Sequence, residues 1–265
     1  MAKKITAIAT QKKAGRFNIY LDGKYAFSVS EDVLIKYRLA KGLELDEEMI
    51  EHLQQADLLS KAYNKALDHL SYQLRTKKEI KIYLTKLEVP ENDQNQIISK
   101  LVELNLLDDL AYAKSYVRTA AKTTDKGPFV IAQKLKQKGV AEEFINEALI
   151  EFSLEQQVQT ALKLAEKFVV KNKKLAFQAL KNKLYQHLVT KGFSSEAISL
   201  VLEELALKKD DTLQLEALRE QGAKLLRRYQ RYPQPECFFK LKQALYRKGF
   251  SLSEIERYLA EITTE

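Results

Sequence analysis

The chain has 265 residues, 30% of them charged, with only eight glycines, four prolines and a formal net charge of +8. Scarce glycine and proline beside abundant helix formers favour an all-helical body over a sheet protein. No apolar run approaches the length of a membrane-spanning helix, and a single cysteine, Cys237, excludes an intrachain disulfide.

Residues 1–29 read as strands. Ile5 to Thr10 alternates, Phe17, Ile19 and Leu21 share a face, and Tyr25, Phe27 and Val29 continue after Asp22-Gly23. Both residues of Asp22-Gly23 tolerate positive φ, which suits a two-residue hairpin turn. Lys13-Ala-Gly15 is the expected first turn. A three-stranded antiparallel sheet is predicted, marginal by itself and covered by a helix. The candidates are Glu31 to Leu39, with Gly42 ending it, and Asp46 to Leu59.

From Ser60 onward the apolar spacing is helical, and it repeats. Leu135-x-x-Lys138-Gly139-Val140 returns as Leu188-x-x-Lys191-Gly192-Phe193 and as Leu245-x-x-Lys248-Gly249-Phe250. Eight residues before each glycine stand Ile131, Leu184 and Leu241; six after it stand Ile145, Ile198 and Ile255. A degenerate copy around Ile80 and Leu84 has Glu88 in the glycine position. Such a period means tandem helical units, each too small to bury its own face well. The glycines are read as helix stops, because glycine adopts the left-handed conformation freely.

Each unit is predicted to hold three helices. In the first they are Ala62 to Leu74, Lys77 to Leu87 and Asn92 to Leu104. In the second they are Leu110 to Lys122, Phe129 to Lys138 and Ala141 to Phe152. The third has Leu154 to Lys171, Leu175 to Lys191 and Ser194 to Leu205. The fourth has Thr212 to Arg231, Pro235 to Lys248 and Ser251 to Ile262. Gly127-Pro128 breaks the chain before a helix start. Tyr232-Pro-Gln-Pro235 reads as an extended link, and Ser251-x-x-Glu254 as a capping box. The domain boundaries are 1–59 for the sheet and its helix, then 60–107, 108–153, 154–207 and 208–265 for the four repeats.

No catalytic, cofactor-binding or metal-binding constellation emerges, and no cofactor is expected. His52, His69 and His187 are isolated, without a second ligand at metal spacing. Asp108-Asp109 and Asp210-Asp211 precede helices at equivalent points, where short carboxylates cap free N–H groups. The basic clusters remain. Residues 1–60 hold nine basic and nine acidic side chains, so the whole cationic excess lies beyond residue 60. Arg75, Lys77 and Lys78 surround a helix start. Lys114, Arg118 and Lys122 fall four apart on one helix face. Lys171, Lys173 and Lys174 mark a turn, and Arg227, Arg228 and Arg231 surround Tyr229 beside Tyr232. Arginine next to tyrosine suits nucleic acid or a carboxylate-rich protein surface. Lys138, Lys191 and Lys248 sit just before the stop glycines, where a cation complements the helix dipole.

Several of these blocks resemble the RecX family of bacterial recombinase regulators. They are Leu104-x-Leu-Leu-Asp-Asp-x-x-Tyr-Ala, Tyr116-Val-Arg118, Lys126-Gly-Pro, Ile131 and Leu135-x-x-Lys-Gly-Val140, with Thr76 and Glu79 at matching places upstream. The resemblance spans most of the chain, including the strands and the fourth repeat. Two residues depart from the pattern: Asn105 stands where glycine is usual, and Glu88 replaces the first stop glycine.

The resemblance implies a mainly α fold of tandem three-helix repeats in an elongated curved array, with a small N-terminal antiparallel sheet. It implies a monomer acting in DNA repair, DNA recombination and the SOS response, and the single cysteine fits a reducing cytoplasm. It also implies binding to the filament of RecA recombinase on single-stranded DNA, restraining its growth, ATPase and strand exchange, and no enzyme activity of its own. The basic residues named above are the candidate contacts with recombinase or DNA. Two alternatives stay open: a general single-stranded nucleic-acid-binding protein, and a hydrolase using the Asp pairs.

Overall fold

The computed structural model describes residues 2–12, 14–205 and 209–264. The expected turn residue Lys13 and the boundary at 207–208 lie outside the described residues. The chain divides into two compact units, Met1–Ala113 with Gln137–Phe144, and Lys114–Lys136 with Ile145–Glu265.

The first unit opens with β1 (Lys3–Thr10), β2 (Arg16–Leu21) and β3 (Lys24–Ser30), all antiparallel. Asp22 and Gly23 have φ of 49° and 82°, the geometry expected of a primed two-residue turn. The sheet has a fourth member that periodicity did not reveal. β4 (Glu44–Leu45) pairs with β1, so the order is β3-β2-β1-β4. Two residues are too few to show alternation. The helix α1 (Glu31–Lys36) is shorter than expected, and Gly42 does not end it. Arg38 takes the left-handed conformation, φ 49°, and the Leu39 N–H bonds back to Leu34 O at 3.0 Å.

A single helix, α2 (Glu47–Ser71), replaces the two expected on either side of Ser60. Nothing between Leu59 and Ala62 breaks a helix. Its two halves serve different cores. Leu53 packs with Ile5, Ile19, Phe27 and Val29 of the sheet. Ala62 and Ala66 pack with Ile80 and Leu84 of α3 (Lys77–Lys86) and with Ile97 and Leu101 of α4 (Glu91–Glu103). Between them, buried Asp57 ties α2 to the sheet. It accepts from the Arg16 guanidinium at 2.9 and 3.0 Å and from the Ser30 N–H at 2.7 Å, and it pairs with Lys61 at 2.8 Å.

Further triplets follow: α5 (Asp109–Thr123), α6 (Pro128–Gln137) and α7 (Glu142–Leu149); α8 (Leu154–Lys171), α9 (Phe177–Lys191) and α10 (Ser195–Glu204); α11 (Asp211–Tyr229), α12 (Gln234–Arg247) and α13 (Leu252–Thr264). In the third triplet, Ala161 and Ala165 let Leu184, Leu188, Ile198 and Val201 close around them. In the fourth, Leu218, Leu241, Leu245, Ile255 and Tyr258 do the same around Ala217. Fully burying one such leucine contributes about 1.5–3 kcal/mol. The Ser251–Glu254 capping box forms, with bonds of 2.7 and 3.3 Å. Pro235 lies inside the first turn of α12 rather than in an extended link, because α12 already starts at Gln234.

The four stop positions all take positive φ: Glu88 59°, Gly139 83°, Gly192 88° and Gly249 91°. Asn105 does so too, at 54°. The stops have a second role that spacing did not suggest. Each of the three glycines packs on the start of the preceding triplet's middle helix: Gly139 on Lys78, Gly192 on Val130 and Gly249 on Ala179. At Gly192 the joint is made by backbone, since the Gly127 N–H bonds Lys191 O at 2.7 Å and the Phe129 N–H bonds Gly192 O at 3.1 Å. Gly127 is therefore more than a chain break. Its missing Cβ is what lets these two backbone segments approach.

Candidate nucleic-acid interface

The Asp pairs are structural. Asp108 accepts from the Leu110 and Ala111 N–H groups at 2.8 and 3.0 Å, so it caps α5. Asp109 serves the neighbouring repeat instead, accepting from the Lys77 N–H at the start of α3 at 2.8 Å. Burial pushes the Asp109 carboxyl up, against the lowering effect of that N–H. Asp210 caps α11 through Thr212 and Leu213, and Asp211 pairs with Lys209 at 3.3 Å. Among the described residues, no group of three or more His, Cys, Asp or Glu side chains is placed to hold a metal. His69 stacks on Tyr83 with ring centroids 4.1 Å apart, and His187 on Phe168 at 4.9 Å. Burial lowers both imidazoles, helped by nearby Arg75 and Lys191 respectively. His52 bonds the Tyr37 hydroxyl at 2.9 Å. Cys237 is buried.

Several basic side chains are engaged by neighbouring repeats. Lys78 lays its stem against Gly139 and donates to Gln137 O at 3.0 Å. Lys77 opens α3, and half-buried Arg75 precedes it. Lys138 pairs with Glu79 at 2.6 Å, and Lys191 pairs with Asp125. These lysines join neighbouring repeats as well as sitting near helix C-termini. Burial alone would raise the Glu79 carboxyl, but Lys138, the Thr76 N–H and Arg75 outweigh it and hold it below the usual range. Lys248 is exposed.

On α5, Lys114 and Arg118 form a ladder with two glutamates four residues apart. Lys114 meets Glu147 at 2.6 Å, and Arg118 meets Glu151 at 2.9 Å. The Glu147 hydrogen bond raises the Lys114 ammonium above its ordinary range. Lys122, one turn on, has no carboxylate partner among the described residues. It lies in a groove of about 630 Å³ between α5 and α8, together with Arg118, Lys163 and Lys167. Lys163 and Lys167 were missed by the sequence reading. Their signal was a four-residue spacing on α8, which places two long cations on one face.

Lys171, Lys173 and Lys174 are exposed around the α8–α9 turn, with Lys174 paired to Glu220 at 3.0 Å. The C-terminal end of α11 is different. Arg227, Arg228 and Arg231 are exposed and, among the described residues, have no carboxylate partner. Arg228 lies 6.0 Å from the Tyr229 ring, and Arg231 lies 5.1 Å from the Tyr232 ring. Lys240, not singled out from sequence, lies 4.6 Å over Tyr232 and pairs with Glu236 at 3.2 Å. Unpaired guanidinium groups on aromatic faces can bind phosphates and stack with bases.

Of the sequence-named cations, Arg118 and Lys122 line the α5–α8 groove, Arg227, Arg228 and Arg231 make the α11–α12 patch, Lys171, Lys173 and Lys174 stay at the α8–α9 turn, and Lys78 is held at a repeat joint. The fold defines a tandem three-helix-repeat protein with a small N-terminal sheet, and unpaired cations are among its exposed groups. Comparison with known proteins narrows that class. The model of the regulatory protein RecX N-terminal domain matches residues 3–46. The RecX first and second three-helix domains match 62–101 and 108–149, and the third matches twice, at 155–202 and 212–259. The regulatory protein RecX of Levilactobacillus brevis is 45% identical over 97% of both chains. That of Bacillus subtilis is 43% identical over 97% of this chain and 98% of its own. A crystal structure of regulatory protein RecX, 46% identical, aligns with a TM-score of 0.72 over 76% of this chain and 99% of that one. The crystal structure of RecX from Lactobacillus salivarius aligns at 0.56 over 58% of this chain and 99% of that one, with 43% identity. The chain belongs to the RecX family of regulatory proteins.

Proposed function

We propose that this protein regulates homologous recombination by binding the filament that RecA recombinase forms on single-stranded DNA, and that it restrains filament growth, ATPase and strand exchange. Family membership along nearly the whole chain carries this reading. The chemistry of the surface supports it. Unpaired Arg227, Arg228 and Arg231 beside Tyr229, and the lysines around α5 and α8, offer charge to phosphates or to acidic protein surface. Lys171, Lys173, Arg75 and Lys77 are further contacts on this reading. The protein acts as a cytoplasmic monomer, by occupancy rather than catalysis.

Titration into a recombinase–single-strand ATPase assay is the test. Loss of ATPase at substoichiometric protein is expected. Unchanged ATPase at equimolar protein, together with salt-sensitive binding to bare strands, would instead favour a general single-strand-binding protein.

A further inference from the structure

Resting on the reading that single-stranded nucleic acid is one partner, we propose that the α5–α8 groove is where the phosphate backbone of the strand lies. Lys122 faces it from α5, and Lys163 and Lys167 face it from α8. All three are exposed, and among the described residues none has a carboxylate partner. The groove does contain two acids, but both are engaged: Asp125 by Lys191 and Glu151 by Arg118. The incoming anion therefore meets uncompensated ammonium groups, not a neutralised network.

The other polar lining sharpens the assignment. The hydroxyls of Thr123, Thr124 and Thr160 donate to carbonyls of their own helices at 2.8, 2.8 and 2.9 Å. They offer the groove lone pairs only. The Gln159 amide is turned to Glu155 at 3.4 Å, so beside the Gln156 carboxamide the donors available for a ligand are the lysine ammonium groups, which read diffuse negative charge and not the edge pattern of a base. Binding here is accordingly independent of base sequence, and its register along the strand is loose.

The experiment measures fluorescence anisotropy of a labelled oligo-deoxythymidine strand across a salt series, with the full chain and no recombinase. Lys122→Ala/Lys163→Ala/Lys167→Ala is compared with Lys3→Ala/Lys24→Ala/Lys41→Ala, which removes the same charge from the N-terminal sheet region. The control should share the salt slope of the unsubstituted protein. The groove variant should lose about 2 from the magnitude of that slope and bind about 10- to 100-fold more weakly at ~0.1 M salt, as expected for three lost phosphate contacts. A mixed-sequence strand should behave like oligo-deoxythymidine. An unchanged slope in the groove variant, or no strand binding by the unsubstituted protein, overturns the proposal. So does a groove variant that keeps strand binding but loses its effect on the recombinase filament, since the groove would then take an acidic protein surface. The two readings separate cleanly: groove-dependent strand binding without any effect on recombinase ATPase would sink the regulatory function and leave the groove assignment standing.

Discussion

Gly127→Ala sets two physical effects against each other with opposite signs. Gly127 lies outside the left-handed region, so its conformation is open to alanine. From the unfolded state alone, the substitution should stabilise by about 0.4–1 kcal/mol. The structure says otherwise. A Cβ here would fall deep inside van der Waals contact of the Gly192 carbonyl and the Phe193 nitrogen, all backbone atoms. The two segments must part by about 1 Å to reach ordinary contact. That movement weakens both the Gly127–Lys191 and Phe129–Gly192 hydrogen bonds, each worth about 0.5–1.5 kcal/mol. Overpacking adds about 1–3 kcal/mol. The net expectation is a loss of about 2–4 kcal/mol, localised to the joint. Hydrogen exchange read by mass spectrometry on peptides from α6 and the end of α9 measures that opening locally, without requiring the two units to unfold together. Faster exchange at both places is expected. Equal or slower exchange would refute the close-approach account of this glycine.

Glu88→Gly acts in the reverse direction, because Glu88 holds φ at 59° with an exposed side chain. Urea denaturation of the first unit's transition should show a gain of about 1 kcal/mol. Asp57→Asn leaves Arg16 and Lys61 without their carboxylate and should cost about 3–5 kcal/mol at neutral pH. Burial alone would raise the Asp57 carboxyl, but Arg16, Lys61 and the Ser30 N–H overcome it and leave it below its ordinary value. Its contribution is thus present above the unfolded pKa of about 4 and is lost as pH falls through the lower folded value. Acid titration of stability should therefore be shallower in Asp57→Asn, and an identical acid profile would contradict the pairing. Asp109 has the opposite sign, since its folded pKa is raised and its charged form loses stability as pH climbs through the interval. In thermal unfolding, Asp109→Ala should cost about 1–2 kcal/mol by leaving the Lys77 N–H at the start of α3 without its acceptor, whereas Asp109→Asn keeps one and should cost less.

Periodicity made most of the helical plan legible. Leu154 to Lys171 was predicted to the residue, and the positive φ at 88, 139, 192 and 249 follows from reading one stop signal four times. The misses share a cause: they depend on contacts between residues far apart in sequence. β4 exists because Glu44 and Leu45 meet β1, not through any pattern of their own. α2 runs through Ser60 because each half finds a core, and a helix break drawn there from apolar spacing cannot register that. Asp109 looked like a cap for its own helix and instead accepts from a first-turn N–H of the helix that starts at Lys77, 32 residues earlier. The basic clusters were visible as residues, but not their occupancy. Lys114 and Arg118 are neutralised by Glu147 and Glu151, while Lys163 and Lys167 gain meaning only when α8 is laid beside Lys122.

Electron cryo-microscopy of the full chain mixed with a recombinase filament on single-stranded DNA tests the central claim most directly. Density for the helical repeats on the filament is expected, with filaments that shorten as the protein is added. Filaments of unchanged length, bare of added density at saturating protein, would contradict it.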